Sequence, residues 1–284
     1  MNEMNLFPPA QIAEKLRDVC VGKCKIPMKK FFVLAILAGA FIAFGGELSI
    51  LVGSDASLGF GFTKFLAASV FTVGLILVVV AGAELFTGDN LIVISALDKK
   101  IRWSELLKAW VAVYIGNFIG SLLIAAFLFW GGTWSLNSNA VGAAALKIAS
   151  AKVSIPFWQA FFRGILCNWL VCLAVWMATS SKDVIGKIFA IYFPIMAFVA
   201  SGFEHSVANM FFIPYGIFLK SVPKVVEATG KTLADFANLN WGTLFTMNLI
   251  PVTLGNIIGG AFFVGAIYWY VYLRKEPETF EPKK

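Results

Sequence analysis

The sequence predicts an all-α polytopic membrane protein with six transmembrane helices. Three observations carry the prediction. First, 59% of the 284 residues are hydrophobic and only 14% are charged. A soluble domain carries about a quarter charged residues, so these charges are too few to cover a water-facing surface. Second, six apolar runs follow one another, near residues 31–52, 61–97, 107–131, 157–179, 185–219 and 249–273. Third, two of those runs are interrupted at matching places. The net charge of +7 does not mark a nucleic-acid surface. Its lysines and arginines lie between the apolar runs, where they set orientation.

The first element is a polar N-terminal segment, residues 1–30, with a surface helix over about 8–22. Pro8 and Pro9 suit a helix start. Ile12, Leu16, Val19 and Cys20 fall on one stripe, and Gly22 and Pro27 serve as stop signals. The helix is expected to lie on the membrane interface or to cover the inner mouth of the protein. Cys20 and Cys24 are too few for a zinc site, because the single histidine, His205, lies in a distant span. Cys167 and Cys172 read as small core residues. No cleavable signal peptide is expected, since the first apolar run is too long for one.

Four of the runs match one span of ~20 residues each. The second and fifth are about 35 residues long, too long for one helix and too short for two spans with a turn. Each carries charge in its middle, Glu84 and Asp89 in one, Glu204 and His205 in the other. The economical solution is a full span, a break and a half-helix, with the break lining a cavity. Both termini are expected in the cytoplasm. The inner segments of such a chain hold sixteen Lys and Arg and the outer ones six, the positive-inside pattern. Residues 31–273 form the transport domain and 274–284 a cytoplasmic tail.

The two halves repeat. Gly82-Ala83-Glu84 and Gly202-Phe203-Glu204 each open a break. Gly116-Asn117-Phe118-Ile119-Gly120 and Gly255-Asn256-Ile257-Ile258-Gly259 each open a later span. Three spans per copy (about 31–131 and 157–273) give the copies opposite orientation, and inverted repeats with broken helices point to a central transport path. Chance similarity of small-residue packing motifs is the plain alternative.

The break residues are the candidates for function. His205 is the one side chain there able to titrate near neutral pH, and an intramembrane ionisable group beside a break points to function. Glu84 and Glu204 are expected to accept from amides freed at the breaks. Asp89 and Ser206 are expected to cap the half-helices, and Asn209 belongs to the second break motif. Thr87 offers a hydroxyl to an anion or to His205. Lys152, before the fourth span, would raise local anion concentration. Phe71, Leu75, Leu85 and Phe198 lie where bulky apolar groups close a pore by dewetting. Each of these has an ordinary packing or solvated-loop alternative.

The stretches Glu84-Leu85-Phe86-Thr87-Gly88, Cys167-Asn168-Trp169-Leu170-Val171-Cys172 and Ser201-Gly202-Phe203-Glu204-His205-Ser206-Val207-Ala208-Asn209-Met210 resemble the signature segments of the formate/nitrite transporter family. The resemblance covers about residues 10–273. It implies an aquaporin-like fold with helices 2 and 5 broken and a homopentamer with one pore per protomer. It also implies a small monovalent anion as substrate: formate first, nitrite or hydrosulfide as alternatives, in some members with a proton. In family terms Thr87, Asn168 and His205 are the central polar contacts. Phe71, Leu75, Leu85 and Phe198 are the two constrictions, and Lys152 is the basic residue of the outer vestibule. No cofactor and no metal is expected. A neutral-solute pore of aquaporin type would need two Asn-Pro-Ala half-helix starts, which this chain lacks. A membrane enzyme would need a metal cluster, a nucleophile with its base or a carboxylate pair.

Overall fold

A computed structural model describes residues 6–55 and 57–275. The tail from 276 onward and the first five residues of the N-terminal segment lie outside the described residues. In chain order the helices are α1 (Pro9–Lys25), α2 (Met28–Gly53), α3 (Phe60–Gly82), α4 (Phe86–Leu97), α5 (Trp103–Gly131) and α6 (Ala140–Val153). There follow α7 (Phe157–Ser180), α8 (Val184–Ala200), α9 (Ser206–Leu219), α10 (Pro223–Ala228) and α11, which runs from Trp241 to Tyr272. Among the described residues five stretches are long and apolar enough to cross a membrane: α2, α3, α5, α7 and the stretch Leu233–Tyr272 that contains α11. The segments α4, α8 and α9 are shorter apolar helices. Among the described residues no strand forms, and one antiparallel bridge joins Leu6 to Ser181.

The N-terminal helix is longer than its stop signals suggested. Gly22 lies inside α1 with open space around it, so its lost side chain costs no packing there. The helix ends at Ile26, whose backbone turns extended just before Pro27, as a residue preceding proline tends to. The buried stripe is Ile12, Ala13, Leu16 and Cys20, while Val19 points out at 52% exposure. This stripe seats α1 on α4, α7 and the C-terminal end of α11. Ser95 Oγ donates to the Arg17 carbonyl at 2.7 Å, and Phe7 N–H donates to the Ser180 carbonyl at 2.9 Å. The helix is thus docked on protein.

Close helix contact comes from the Gly-Asn-x-x-Gly segments. A Cβ at Gly120 would fall on the Ile36 carbonyl of α2, and one at Gly259 on the Ile165 carbonyl of α7. Small residues there let the α2/α5 and α7/α11 backbones touch, the usual source of helix association in lipid. The 14-residue α6 was not expected from the sequence. Its Val141, Leu146, Ala149 and Val153 are buried, and it packs along α9.

Both interrupted runs break at a glycine with positive φ: Gly82 at +90° and Gly202 at +70°. Only glycine takes that region without a Cβ penalty. The chain then runs on through Ala83–Leu85 and Phe203–His205 before α4 and α9 begin. A wide π turn over Leu77–Gly82 leads into the first break. Such π segments recur in α11 at Leu244–Leu249 and Ile258–Ala266.

Candidate functional site

The freed backbone groups at each break are taken up by an asparagine from the Gly-Asn-x-x-Gly segment of another helix. Phe86 N–H donates to Asn117 Oδ1 at 2.9 Å, and Ser206 N–H donates to Asn256 Oδ1 at 2.9 Å. Asn117 Nδ2 donates to the carbonyls of Glu84 (2.9 Å) and Ala35 (2.7 Å). Asn256 Nδ2 does the same for Glu204 (3.0 Å) and Gly164 (2.8 Å). Both amides are fully buried. A primary amide suits this place because it donates and accepts at once, without charge.

The N-caps are therefore Leu85 and His205, and the expected capping by Asp89 and Ser206 is overturned. Asp89 ends the first turn of α4, and its carboxylate faces Lys23. Ser206 is the first residue of α9, and its buried Oγ has no partner among the described residues. The carboxylates of Glu84 and Glu204 do not accept from the freed amides either; the asparagines do. Each carboxylate instead meets a lysine. Lys23 Nζ lies 2.6 Å from Glu84 and 2.6 Å from Asp89. Lys152 Nζ lies 3.0 and 3.1 Å from the two Glu204 oxygens. Burial works against the Lys23 charge, but Asp89 and Glu84 outweigh it and hold its pKa above the ordinary value. Asn209 Nδ2 joins the second group, donating to Glu204 at 2.7 Å and to Asn248 Oδ1 at 2.7 Å. Asn248 Nδ2 in turn donates to the Lys152 carbonyl at 3.0 Å.

Between the two breaks sits the pair Thr87 and His205. Ala208 N–H donates to His205 Nδ1 at 3.0 Å, so that nitrogen is the acceptor and the neutral ring carries its proton on Nε2. Nε2 lies 2.9 Å from Thr87 Oγ1 and donates to it. The Thr87 hydroxyl proton is then left to face another acceptor. The half-helices α4 and α9 both start here, and their N-terminal ends favour negative charge. Asn168 does not join this pair. Its Nδ2 donates to Asn90 Oδ1 (2.8 Å) and to the Asn256 carbonyl (2.7 Å), which ties α7 to α4 and α11.

Two cavities approach the pair from opposite ends. One, about 750 Å³, lies beneath α1 and is lined by Lys23, Glu84 and Asp89 together with Leu75 and Leu85. The other, about 400 Å³, is lined by Lys152, Glu204 and His205, with Phe71 and Phe198. All four bulky residues are 3% exposed or less. The Phe71 and Phe198 rings meet edge to face at 5.9 Å between centroids, and Phe198 stacks on the His205 ring at 5.8 Å. The structure thus places Thr87, His205, the four bulky apolar residues and the Lys152–Glu204 pair at or between the two cavities, and leaves Asn168 outside. Among the described residues no group of three or more His, Cys, Asp and Glu is placed to hold a metal.

Four residues escaped the sequence reading as participants: Lys23, Asn117, Asn248 and Asn256. The recurrence of Asn in both Gly-Asn-x-x-Gly segments was the available signal for Asn117 and Asn256. For Lys23 it was an unpaired Asp89 and Glu84 in an apolar run, which require a cation from elsewhere.

A family profile described as "Formate/nitrite transporter" matches residues 10–270. The chain is 45% identical to the "Probable formate transporter" of Methanothermobacter thermautotrophicus, over 94% of this chain and 97% of that protein. It is 42% identical to "Formate channel FocA" of Escherichia coli (strain K12), over 96% of this chain and 97% of that protein. Two solved structures superpose with TM-scores of 0.79. One, "Pentameric formate channel with formate bound", is 39% identical and covers 87% of this chain and 98% of its own. The other, "FNT family ion channel", is 30% identical and covers 92% of this chain and 98% of its own. Matched along nearly its whole length by profile, sequence and fold, the chain belongs to the formate/nitrite transporter family.

Proposed function

We propose that this protein is a homopentameric channel for formate, with one pore in each protomer, in the cytoplasmic membrane. The observation that carries this reading is the Thr87–His205 pair, held between two half-helix N-termini, with Phe71 and Phe198 beside His205 in the outer cavity and Leu75 and Leu85 lining the inner one. A small anion suits that place. Helix N-termini and a hydroxyl donor favour it, while the constrictions exclude water and larger solutes. The relatives at 45% and 42% identity support formate, and the pentameric neighbour supports five-fold assembly.

The finer fold in this reading is aquaporin-like. Six spans form two inverted repeats, about 31–131 and 157–273, with α3–α4 and α8–α9 as the broken helices. The matched bonds of Asn117 and Asn256 support it. Residues 1–30 and 274–284 lie on the cytoplasmic side, as the Lys/Arg distribution suggests, so the cavity beneath α1 is the inner vestibule. Phe71 and Phe198 form the outer constriction, and Leu75 and Leu85 the inner one. Thr87 donates its hydroxyl to the passing anion, and His205 fixes Thr87 for that task. A second proton on His205 would have to sit on Nδ1, against the Ala208 N–H. This favours holding over shuttling as the role of His205.

The test is anion flux into vesicles reconstituted with the protein, comparing formate, nitrite and hydrosulfide, with and without a pH gradient. Formate flux above that of protein-free vesicles supports the assignment. Nitrite or hydrosulfide flux with no formate flux would reassign the substrate.

A further inference from the structure

The two vestibules differ in charge. Among the described residues the outer cavity is lined by Lys64, Lys152 and Arg163 against the single carboxylate of Glu204, a surplus of two positive charges. The inner cavity sets Lys15, Lys23 and Lys187 against Asp18, Glu84 and Asp89, which balance. The outer surplus does not come from Lys152. Its ammonium lies on both oxygens of Glu204 and is 15% exposed, and a close ion pair projects little field beyond itself.

Lys64 and Arg163 are in the opposite condition. Both are exposed, and among the described residues neither side chain has a hydrogen-bond or ion-pair partner. Arg163 stands six residues into α7, about 9 Å along its axis, among Phe161, Phe162 and Ile165. An arginine in so apolar a stretch is costly unless its head reaches water, and the cavity supplies that water. Its guanidinium stays charged and is less strongly hydrated than an ammonium, so it meets an anion readily.

We propose that Lys64 and Arg163 form an anion-collecting rim at the outer mouth, with Arg163 as the first docking site for a carboxylate, ahead of the Lys152–Glu204 pair. The rim rests on the anion-channel reading above. It gives the pore an electrostatic direction: anions are gathered from the outside and met by a balanced vestibule within.

Right-side-out and inside-out membrane vesicles from a host without its own formate channels separate the two faces. The probe is formate, with initial rates measured against concentration at about 0.01 M and about 0.15 M ionic strength, where charges are felt over about 30 and 8 Å. K64Q/R163Q is expected to raise the apparent KM for entry from the outer face by about three- to tenfold at the lower ionic strength. Maximal rate should hold, the shift should shrink at the higher ionic strength, and entry from the inner face should keep its KM. K64R/R163K keeps both charges and should stay within about twofold of wild type at the lower ionic strength. An unchanged outer KM in K64Q/R163Q overturns the rim. So does a shift of the same size from both faces, or a K64R/R163K as impaired as K64Q/R163Q. If the wild-type protein itself gives no formate flux, the channel assignment has failed instead, so the two failures are told apart.

Discussion

His205 presents Nδ1 to a backbone amide and Nε2 to Thr87, so substitutions there can separate a structural role from one in transport. Asparagine is among the best N-cap residues, so His205→Asn keeps the α9 start but is too short to hold Thr87. The expected result is an intact assembly with altered formate flux. His205→Phe loses the cap as well, about 1 kcal/mol, and fills the centre with an apolar ring, so passage should stop. Wild-type flux and pH profile in His205→Asn would make His205 a brace for the break and nothing more. Phe198 bears on the same point from the outer side. It touches both Phe71 and His205, and Phe198→Ala opens the outer constriction to water. Leak of small ions through vesicles should rise, and unchanged leak would place the barrier at Leu75 and Leu85. That Thr87 and His205 lie at the breaks could be read from the chain, because charge, glycine and hydroxyl stand out against apolar runs. Asn168 could not, since a polar residue inside a helix does not reveal which neighbour it faces. The true N-caps were hidden for a related reason. Local statistics favour Asp89 and Ser206, whereas the acceptors at the two starts come from Asn117 and Asn256, 31 and 50 residues away.

At the scale of elements, α1 is held by its buried stripe and by the charges of Lys23. Lys23 bridges Glu84 and Asp89, and Cys20 is buried beneath the helix. Burial pushes the Cys20 thiol up to about 12, against about 8.5 for a free cysteine. A pKa raised in the docked state stabilises docking fully below the free value, and that stabilisation is lost as pH rises through about 12. The raised Lys23 acts in the same direction, so alkaline conditions release α1. At pH near 8 the alkylation of Cys20 should run at least about tenfold slower than that of an exposed cysteine. Lys23→Met leaves two buried carboxylates without their cation, a loss of about 3 kcal/mol, and should bring Cys20 toward the exposed rate, read as labelled fraction by mass spectrometry. Protection that survives Lys23→Met would mean that the apolar stripe of α1 holds the helix alone. The long spans were legible because length and hydropathy suffice for them. Helix α6 was not, because short Ala-rich turns between polar residues read as linker until α9 is there to pack against.

For the whole molecule, the exposed apolar residues along α5 and α7, such as Val111, Ile115, Trp158 and Phe162, must meet lipid or another protomer. Five-fold assembly predicts a particle of about five times the 31.0 kDa chain mass in mild detergent. Native mass spectrometry that finds only monomer or dimer would remove the pentamer and leave the protomer fold untouched. The asparagine braces have a further consequence at this scale. Each break is tied to two other helices by three hydrogen bonds to one buried amide. Any cycle that moved a break against the helices bracing it within its own half would shear those bonds. A pore so fixed has no large rearrangement to repeat for every ion carried. Its throughput should therefore climb only gently on warming, as conduction in electrolyte does, and a steep Arrhenius slope for formate flux would show that the braces open in each cycle.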